Sequence, residues 1–87
     1  MKGGFLLNKI GKIIKEQRLF KNITLKTLSD STSISIGTLS NIENDKIKNP
    51  SGVFLYRISK VLDIDYNYLV RQRWDILPVF SFERKRT

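Results

Sequence analysis

Apolar residues recur every three or four positions through most of the chain, which is the spacing of one face of an α-helix. In the first such stretch Ile10, Ile13, Ile14 and Gln17 lie on one side of a helical projection, and lysines fill the opposite side. This spacing predicts a first helix over residues 6–20.

Residues that cap helices mark the ends of the next two segments. Asn22 suits the left-handed residue after the first helix, and the Thr24 hydroxyl is predicted to cap a second helix by accepting from amides of its first turn. The Asp-Ser-Thr-Ser run at residues 30–33 favours a tight turn, because these side chains bond to their own backbone. Ser35 then begins a third helix over residues 35–44.

Two further helices are predicted after a polar, basic loop at residues 45–50. Ser51 is predicted to cap the fourth helix, and Asp65 a fifth that continues towards Trp74. Phe54 and Phe20 fall on helical apolar faces, so both are expected in the core and not on a surface that stacks bases. The fourth helix carries an apolar stripe formed by Phe54, Leu55, Ile58, Val61 and Leu62. Five short helices predict an all-α fold, a compact five-helix bundle.

The end of the chain has a different pattern. Pro78 ends any helix, and residues 79–82 alternate between apolar and polar positions as a short strand does. We therefore predict a helical domain at residues 1–70, with its core at 6–70, and a C-terminal extension at 71–87. The extension is a candidate segment for dimerisation or for binding a partner. In a dimer, its edge strand could pair with the same strand of a second copy; packing onto the fifth helix of the same chain is the alternative. The side chains in question are Trp74, Val79, Phe80 and Phe82.

Composition excludes several classes of function. The 87 residues contain neither His nor Cys, so disulfides and zinc knuckles are excluded, and the common hydrolase sites nearly so. We therefore expect no enzyme activity, no metal site, no cofactor and no small-molecule ligand. No apolar run is long enough to span a bilayer and the start lacks the pattern of a signal peptide, which predicts a cytoplasmic protein with no membrane partner.

The net charge of +8 is concentrated at the two ends of the chain. Residues 1–26 carry seven basic groups and one acidic group, and residues 71–87 carry five and two, whereas residues 27–70 are nearly balanced. A small basic domain of this kind commonly meets nucleic acid. Lysine-rich faces that only keep the protein soluble are the alternative that charge alone leaves open.

The predicted third helix presents an unusual outer face. Leu39 and Ile42 are three residues apart and can face a core, which leaves small, uncharged side chains outside. A face that serves only solubility normally carries Lys and Glu, so this surface is predicted to touch a partner.

A spaced set of residues carries a family resemblance. The set is Ile10-Gly11, Arg18, Ile23-Thr24, Leu28, Ile34-Ser35, Leu39-Ser40, Ile42-Glu43, Asn49-Pro50-Ser51, Leu55, Leu62 and Leu69. With this set the chain resembles the lambda-repressor-like DNA-binding domains, the Cro/C1-type or xenobiotic-response-element family of helix-turn-helix proteins, over about residues 10–70. The tract from Asn49 to Asp63 is similar to that of SinR-type regulators from spore-forming bacteria.

The resemblance implies roles for individual residues. Arg18 and Glu43 match a structural ion pair between the first and third helices, the second helix would lie across the phosphate backbone, and the third would enter the major groove. The implied base-reading residues are Ile36, Gly37, Thr38, Ser40 and Asn41. The implied phosphate contacts are Thr24, Lys26, Ser35, Asn44, Lys46, Lys48 and Asn49. For Thr24 and Ser35 a plain helix cap is a compatible alternative, and for the lysines a solvated loop.

The expected function is sequence-specific binding of double-stranded DNA by a small transcriptional regulator. We expect a homodimeric repressor of a bacterium, a phage or another mobile element. Asn41 is the strongest reader because its amide can pair bidentately with adenine, and Ile36 or the Thr38 methyl can pack on a thymine methyl. The alternative is an antitoxin or regulatory interaction protein whose C-terminal extension binds a protein partner.

Departures from the family pattern are expected to matter at two turns. Ser33 stands where the family usually has Gly and must take a left-handed conformation. Asp45 also replaces a common Gly and adds a negative charge beside the expected phosphate path.

Overall fold

The computed structural model describes residues 10–72, and five α-helices account for most of them. In chain order these are α1 (Ile10–Phe20), α2 (Leu25–Thr32), α3 (Ile36–Glu43), α4 (Gly52–Leu62) and α5 (Tyr66–Arg71). The all-α, five-helix prediction is confirmed. The start of the first helix at residues 6–9, the alternating stretch at residues 79–82 and Trp74 lie outside the described residues.

Side-chain oxygens cap the starts of four helices, as predicted. Thr24 accepts from the amide of Thr27 at α2 and Ser35 from that of Thr38 at α3. The corresponding caps of the last two helices are the pairs Ser51 with Phe54 and Asp65 with Tyr68. Each cap satisfies one of the amides that a helix start leaves without an internal partner.

Left-handed residues form several of the connections. Asn22 follows α1 at φ 58° and Ser33 follows α2 at φ 61°, which confirms both predictions. Asp63 after α4 and Asp45 after α3 take the same conformation, at φ 58° and 66°. None of these residues is glycine, so each position carries some backbone strain, although Asn and Asp tolerate it better than most.

The core lies between α1, α2, α3 and α4, and α5 packs on α4. Within residues 10–72, ten apolar side chains of this core are each at most 2% exposed: Ile10, Ile14, Leu28, Ile34, Leu39, Ile42, Leu55, Ile58, Leu62 and Leu69. Burying one such side chain stabilises a fold by about 1.5–3 kcal/mol. Phe54 packs partly buried against this core, as predicted.

Two expectations about the helix ends are wrong. Phe20 was expected in the core but is 78% exposed. It lies two positions after buried Arg18, which turns it about 200° round the helix and away from the core. The fifth helix ends at Arg71 instead of continuing towards Trp74, and the Gln72 amide donates back to the Leu69 carbonyl in a tighter turn.

Candidate nucleic-acid interface

A short, well-bonded turn connects α2 to α3. The Ser33 amide donates to the Ser29 carbonyl at 2.9 Å, and the Thr32 hydroxyl donates to the Leu28 carbonyl at 2.7 Å. Ile34, the next residue, is 2% exposed and anchors the turn in the core. The angle between the two helices is therefore held by both hydrogen bonds and packing.

One contact on this turn was missed by the sequence reasoning. The Arg57 guanidinium on α4 donates to the Thr32 carbonyl at 3.3 Å, so α4 helps to hold the end of α2. The only sequence signal was a basic residue beside the apolar stripe of α4, which is typical of a solvated face.

The two sides of α3 differ as predicted. Leu39 and Ile42 are buried, whereas Ile36 is 44% exposed and Gly37 and Asn41 are open to solvent. Thr38 and Ser40 are half-buried. A Cβ at Gly37 would have no neighbour within 4 Å among the described residues, so the backbone is accessible there.

The polar side chains on this face differ in whether they already form hydrogen bonds within the protein. The Ser35 hydroxyl donates to Thr38 Oγ1 at 2.9 Å, and Asn44 Nδ2 donates to Ser40 Oγ at 3.3 Å. The Asn41 side-chain amide, in contrast, has no partner within residues 10–72. Asn41 is therefore the polar side chain of α3 whose hydrogen-bonding groups are all available to a ligand.

The loop after α3 is tied to the same residue. The Asn41 carbonyl accepts from the Lys46 amide at 2.8 Å and from the Ile47 amide at 3.1 Å. Since Ile47 also packs against the core, the basic loop keeps a fixed position relative to α3.

The candidate phosphate-contacting lysines are in different states. Lys48 Nζ lies 3.5 Å from the Asp45 carboxylate, and Lys26 Nζ lies 3.2 Å from the Asp30 carboxylate on the exposed side of α2. The Lys46 ammonium has no ion-pair partner in the described part of the chain. A ligand can therefore bind Lys46 directly, whereas Lys26 and Lys48 must first exchange a carboxylate. Asn49 is exposed at the end of the same loop.

The predicted ion pair between α1 and α3 is present. Arg18 Nε and Nη2 donate to the two oxygens of the Glu43 carboxylate at 2.7 and 3.0 Å, and Nη1 donates to the Ile23 carbonyl at 2.9 Å. Both charged residues are only 8% exposed. The hydrogen bonds to Glu43 raise the pKa of the Arg18 guanidinium above its usual value, and burial opposes this only in part. The pair joins three parts of the fold and faces away from the open side of α3.

Two classes of site are not found in the region between residues 10 and 72. No three acidic, His or Cys side chains there come together in a way that could hold a metal ion. None of the five helices is both long and apolar enough to cross a membrane.

The capped α2, the tight turn and the half-exposed α3 define a helix-turn-helix domain within a five-helix bundle. The chain belongs to the helix-turn-helix family, because the sequence model of the family "Helix-turn-helix domain" matches residues 11–73. Two relatives are called "HTH-type transcriptional regulator SinR", one from Bacillus licheniformis and one from Bacillus subtilis (strain 168). Each is 34% identical over 64 residues, a stretch that covers 74% of this chain and 58% of the relative. This chain therefore aligns with little more than half the length of those regulators.

A solved structure agrees with the sequence matches. "The N-terminal DNA binding domain of SinR from Bacillus subtilis" superposes with a TM-score of 0.68 at 35% identity, over 71% of this chain and 90% of that one. The resemblance to Cro/C1-type, SinR-like domains is confirmed. None of these relatives is named as an enzyme.

Proposed function

We propose that this chain binds double-stranded DNA sequence-specifically and acts as a transcriptional regulator. The observation that carries the proposal is the outer face of α3, which carries no charge, is open to solvent at Ile36, Gly37 and Asn41, and presents an Asn41 side-chain amide that has no hydrogen-bond partner among residues 10–72. The names of its relatives, which are transcriptional regulators and a DNA-binding domain, point the same way. In this proposal residues 1–70 form the DNA-binding domain, with α3 in the major groove and α2 across the phosphate backbone.

Asn41 is proposed as the principal base reader. In this pairing Asn Oδ1 accepts a hydrogen bond from the N6 amino group of adenine while Nδ2 donates to N7, and this bidentate pattern distinguishes adenine from the other bases. Ile36 is exposed and is proposed to pack on a thymine methyl, as is the methyl group of Thr38. Ser40 is proposed as a minor contributor because its hydroxyl already accepts from Asn44. Gly37 contributes no side chain but lets the DNA approach the backbone.

Phosphate contacts are proposed on both sides of the reading face. The start of α2 offers Thr24 and Lys26, and the start of α3 offers Ser35. The loop after α3 offers Lys46, whose ammonium has no ion-pair partner among residues 10–72, with Lys48, Asn44 and Asn49 beside it. Such contacts set the register and supply salt-sensitive affinity without reading the sequence.

Selection of bound sequences from a random duplex pool, at about physiological salt, tests the proposal directly. Enrichment of a defined motif is expected, and Asn41→Ala should then lose about 1–3 kcal/mol at one base pair of that motif. Asn67→Ala is the matched control, because Asn67 is an exposed Asn on α5. Equal losses on the motif and on random DNA would remove Asn41 as a reader. Failure of the unaltered chain to enrich any motif would favour the alternative in which the chain binds a protein partner.

The salt dependence of binding tests the phosphate contacts. Lys46→Ala should weaken binding to every duplex and reduce the salt slope by about one ion. Lys48→Ala should have a smaller effect, since that lysine must leave Asp45 before it can contact DNA. Lys60→Ala on α4 removes the same charge from outside the helix-turn-helix and serves as the control. Equal slopes for Lys46→Ala and Lys60→Ala would contradict the assignment.

We further propose that the chain works as a homodimeric repressor in the cytoplasm, where bacterial DNA is found. Helix-turn-helix domains of this kind pair on two half-sites about one helical turn apart, so the spacing in the selected motif reports the dimer. The extension at residues 71–87 is the proposed dimerisation segment. A single, unrepeated half-site would contradict a dimer.

A further inference from the structure

The start of α1 lies unusually close to the end of α3, and Gly11 is at the point of contact. A Cβ at this position would lie 2.5 Å from the carbonyl oxygen of Ile42 and 2.6 Å from that of Glu43. Even close Cα–H···O contacts keep carbon and oxygen about 3.3 Å apart, so a methyl group at position 11 would force the start of α1 and the end of α3 about 0.8 Å further apart. The two oxygens belong to the backbone of a helix end, so they cannot rotate away as a side chain could.

The presence of glycine inside α1 is otherwise unfavourable. Glycine is among the weakest helix formers, and an isolated glycine in a helical pattern commonly has a reason in packing. The approach of α3 supplies that reason. Gly37 lies in open space and Gly52 would meet only the flexible end of Tyr66, so Gly11 is the described glycine that a backbone contact requires.

The same face of α1 holds α3 at a second point. Gly11 and Arg18 are seven residues apart and therefore lie on one side of the helix. Arg18 donates two hydrogen bonds to the Glu43 carboxylate, while the missing side chain of Gly11 lets the Ile42 and Glu43 carbonyls approach the backbone of α1. Asn41 immediately precedes these two residues, so both contacts act on the helical turn that carries the proposed reader.

We propose that Gly11 is a positioning residue for base reading, because it sets how closely the last turn of α3 is seated against α1. The proposal rests on the proposed function, in which α3 reads bases. A bidentate amide contact tolerates an error of only about 0.5 Å, whereas long lysine side chains can follow a small displacement. An alanine at position 11 should therefore impair sequence preference more than phosphate binding.

The test compares Gly11→Ala with Gly52→Ala, the same change at the start of α4. Affinity is measured for the selected motif and for random duplex. Gly11→Ala is expected to weaken binding to the motif about tenfold and to random DNA less than about twofold. Gly52→Ala should leave both affinities within about twofold. An unchanged ratio of the two affinities in Gly11→Ala would overturn the proposal.

A second control separates positioning from loss of stability. Leu69→Ala removes buried packing from α5, which packs on α4, and should lower stability while keeping the motif preference of the folded protein. If Gly11→Ala does not fold, the pair is remade with Asp63→Gly, which relieves left-handed strain after α4. A ratio in Gly11→Ala no different from that in Leu69→Ala counts against positioning.

A readout without DNA distinguishes failure of this inference from failure of the proposed function. Amide chemical shifts of residues 41–44 and the Arg18 Nε–H resonance should move in Gly11→Ala and stay in place in Gly52→Ala. If the unaltered chain enriches no motif, the proposed function fails, and the shifts still decide whether Gly11 places the end of α3. Unmoved α3 resonances would overturn the inference whatever the DNA experiments give.

Discussion

The ion pair between Arg18 and Glu43 gives a prediction whose size follows from its burial. Of the three hydrogen bonds that the guanidinium makes within residues 10–72, Glu43→Leu removes two and leaves the bond to the Ile23 carbonyl. Because Arg18 is 8% exposed, water cannot replace the missing carboxylate. Breaking a buried pair in this way costs about 3–5 kcal/mol. A small domain has only about 5–15 kcal/mol of stability in total, so the single variant should be close to unfolding at physiological temperature.

The double variant gives the sharper result. Arg18→Met with Glu43→Leu removes both charges and their desolvation together, so it should lie within about 2 kcal/mol of the unaltered chain. The Ile23 carbonyl, which then lacks a donor, accounts for most of the remaining loss. The double variant is therefore expected to be more stable than Glu43→Leu alone.

Chemical denaturation followed by far-ultraviolet circular dichroism measures the free energies of unfolding of the unaltered chain, Glu43→Leu, Arg18→Met and the double variant. A coupling of about 2–3 kcal/mol or more is expected. Losses that simply add, with a coupling below about 0.5 kcal/mol, would refute the claim that the two charges act as one buried unit.

Folding raises the pKa of Arg18, so its contribution to stability is complete below the unfolded-state pKa and is lost only as pH rises through the folded-state value. Both values lie far above neutral, and mildly alkaline pH should not weaken the pair through Arg18.

Three further variants probe the turns and the open face of α3. A methyl group added by Gly37→Ala meets no other described residue, so thermal denaturation should show stability unchanged or raised by up to about 0.5–1 kcal/mol, while DNA affinity falls; retained affinity would contradict a close approach of DNA. Ser33→Gly removes left-handed strain at φ 61° and should stabilise the fold by up to about 1 kcal/mol; a less stable variant would show that the hydroxyl matters more than the strain. Asp45→Asn keeps a residue that tolerates φ 66° but removes the carboxylate that pairs with Lys48 and its negative charge beside the proposed phosphate path, so binding to motif and random DNA should strengthen alike, and a gain on the motif alone would refute this.

The helix boundaries were largely predictable because they depend on local chemistry. The hydroxyls of Thr24, Ser35 and Ser51 bond to amides only three residues away, so the sequence alone contains both partners. The left-handed residues at positions 22 and 33 were predictable for the same reason. Where the prediction depended on which way a helix-end residue turns, as for Phe20, it was wrong.

Contacts between residues far apart in the chain depend on tertiary geometry, which local sequence patterns do not predict. The short distance from Gly11 to the end of α3 joins residues about thirty positions apart; a glycine inside α1 indicates a close contact but not which element makes it. The contact of Arg57 with the Thr32 carbonyl is of the same kind. Family resemblance did predict the pair between Arg18 and Glu43, because there the motif carries tertiary information that periodicity lacks.

The distribution of charge on the proposed interface indicates that different residues determine the preferred DNA sequence and the general affinity for DNA. The only charged side chain of α3 is Glu43, and it is buried against Arg18, so the outer face of the helix adds no net charge of its own. Within the helix-turn-helix, electrostatic attraction must therefore come from groups that flank this face, such as Lys46 in the loop after α3. Because hydrogen bonds and apolar contacts to base edges carry sequence information and phosphate contacts do not, the two properties are assigned to different residues. It follows that substitutions on α3 should alter which sequence is preferred, whereas substitutions in the loop should alter how tightly every sequence is bound. A loop variant that changes the preferred motif would show that the loop also reaches the bases.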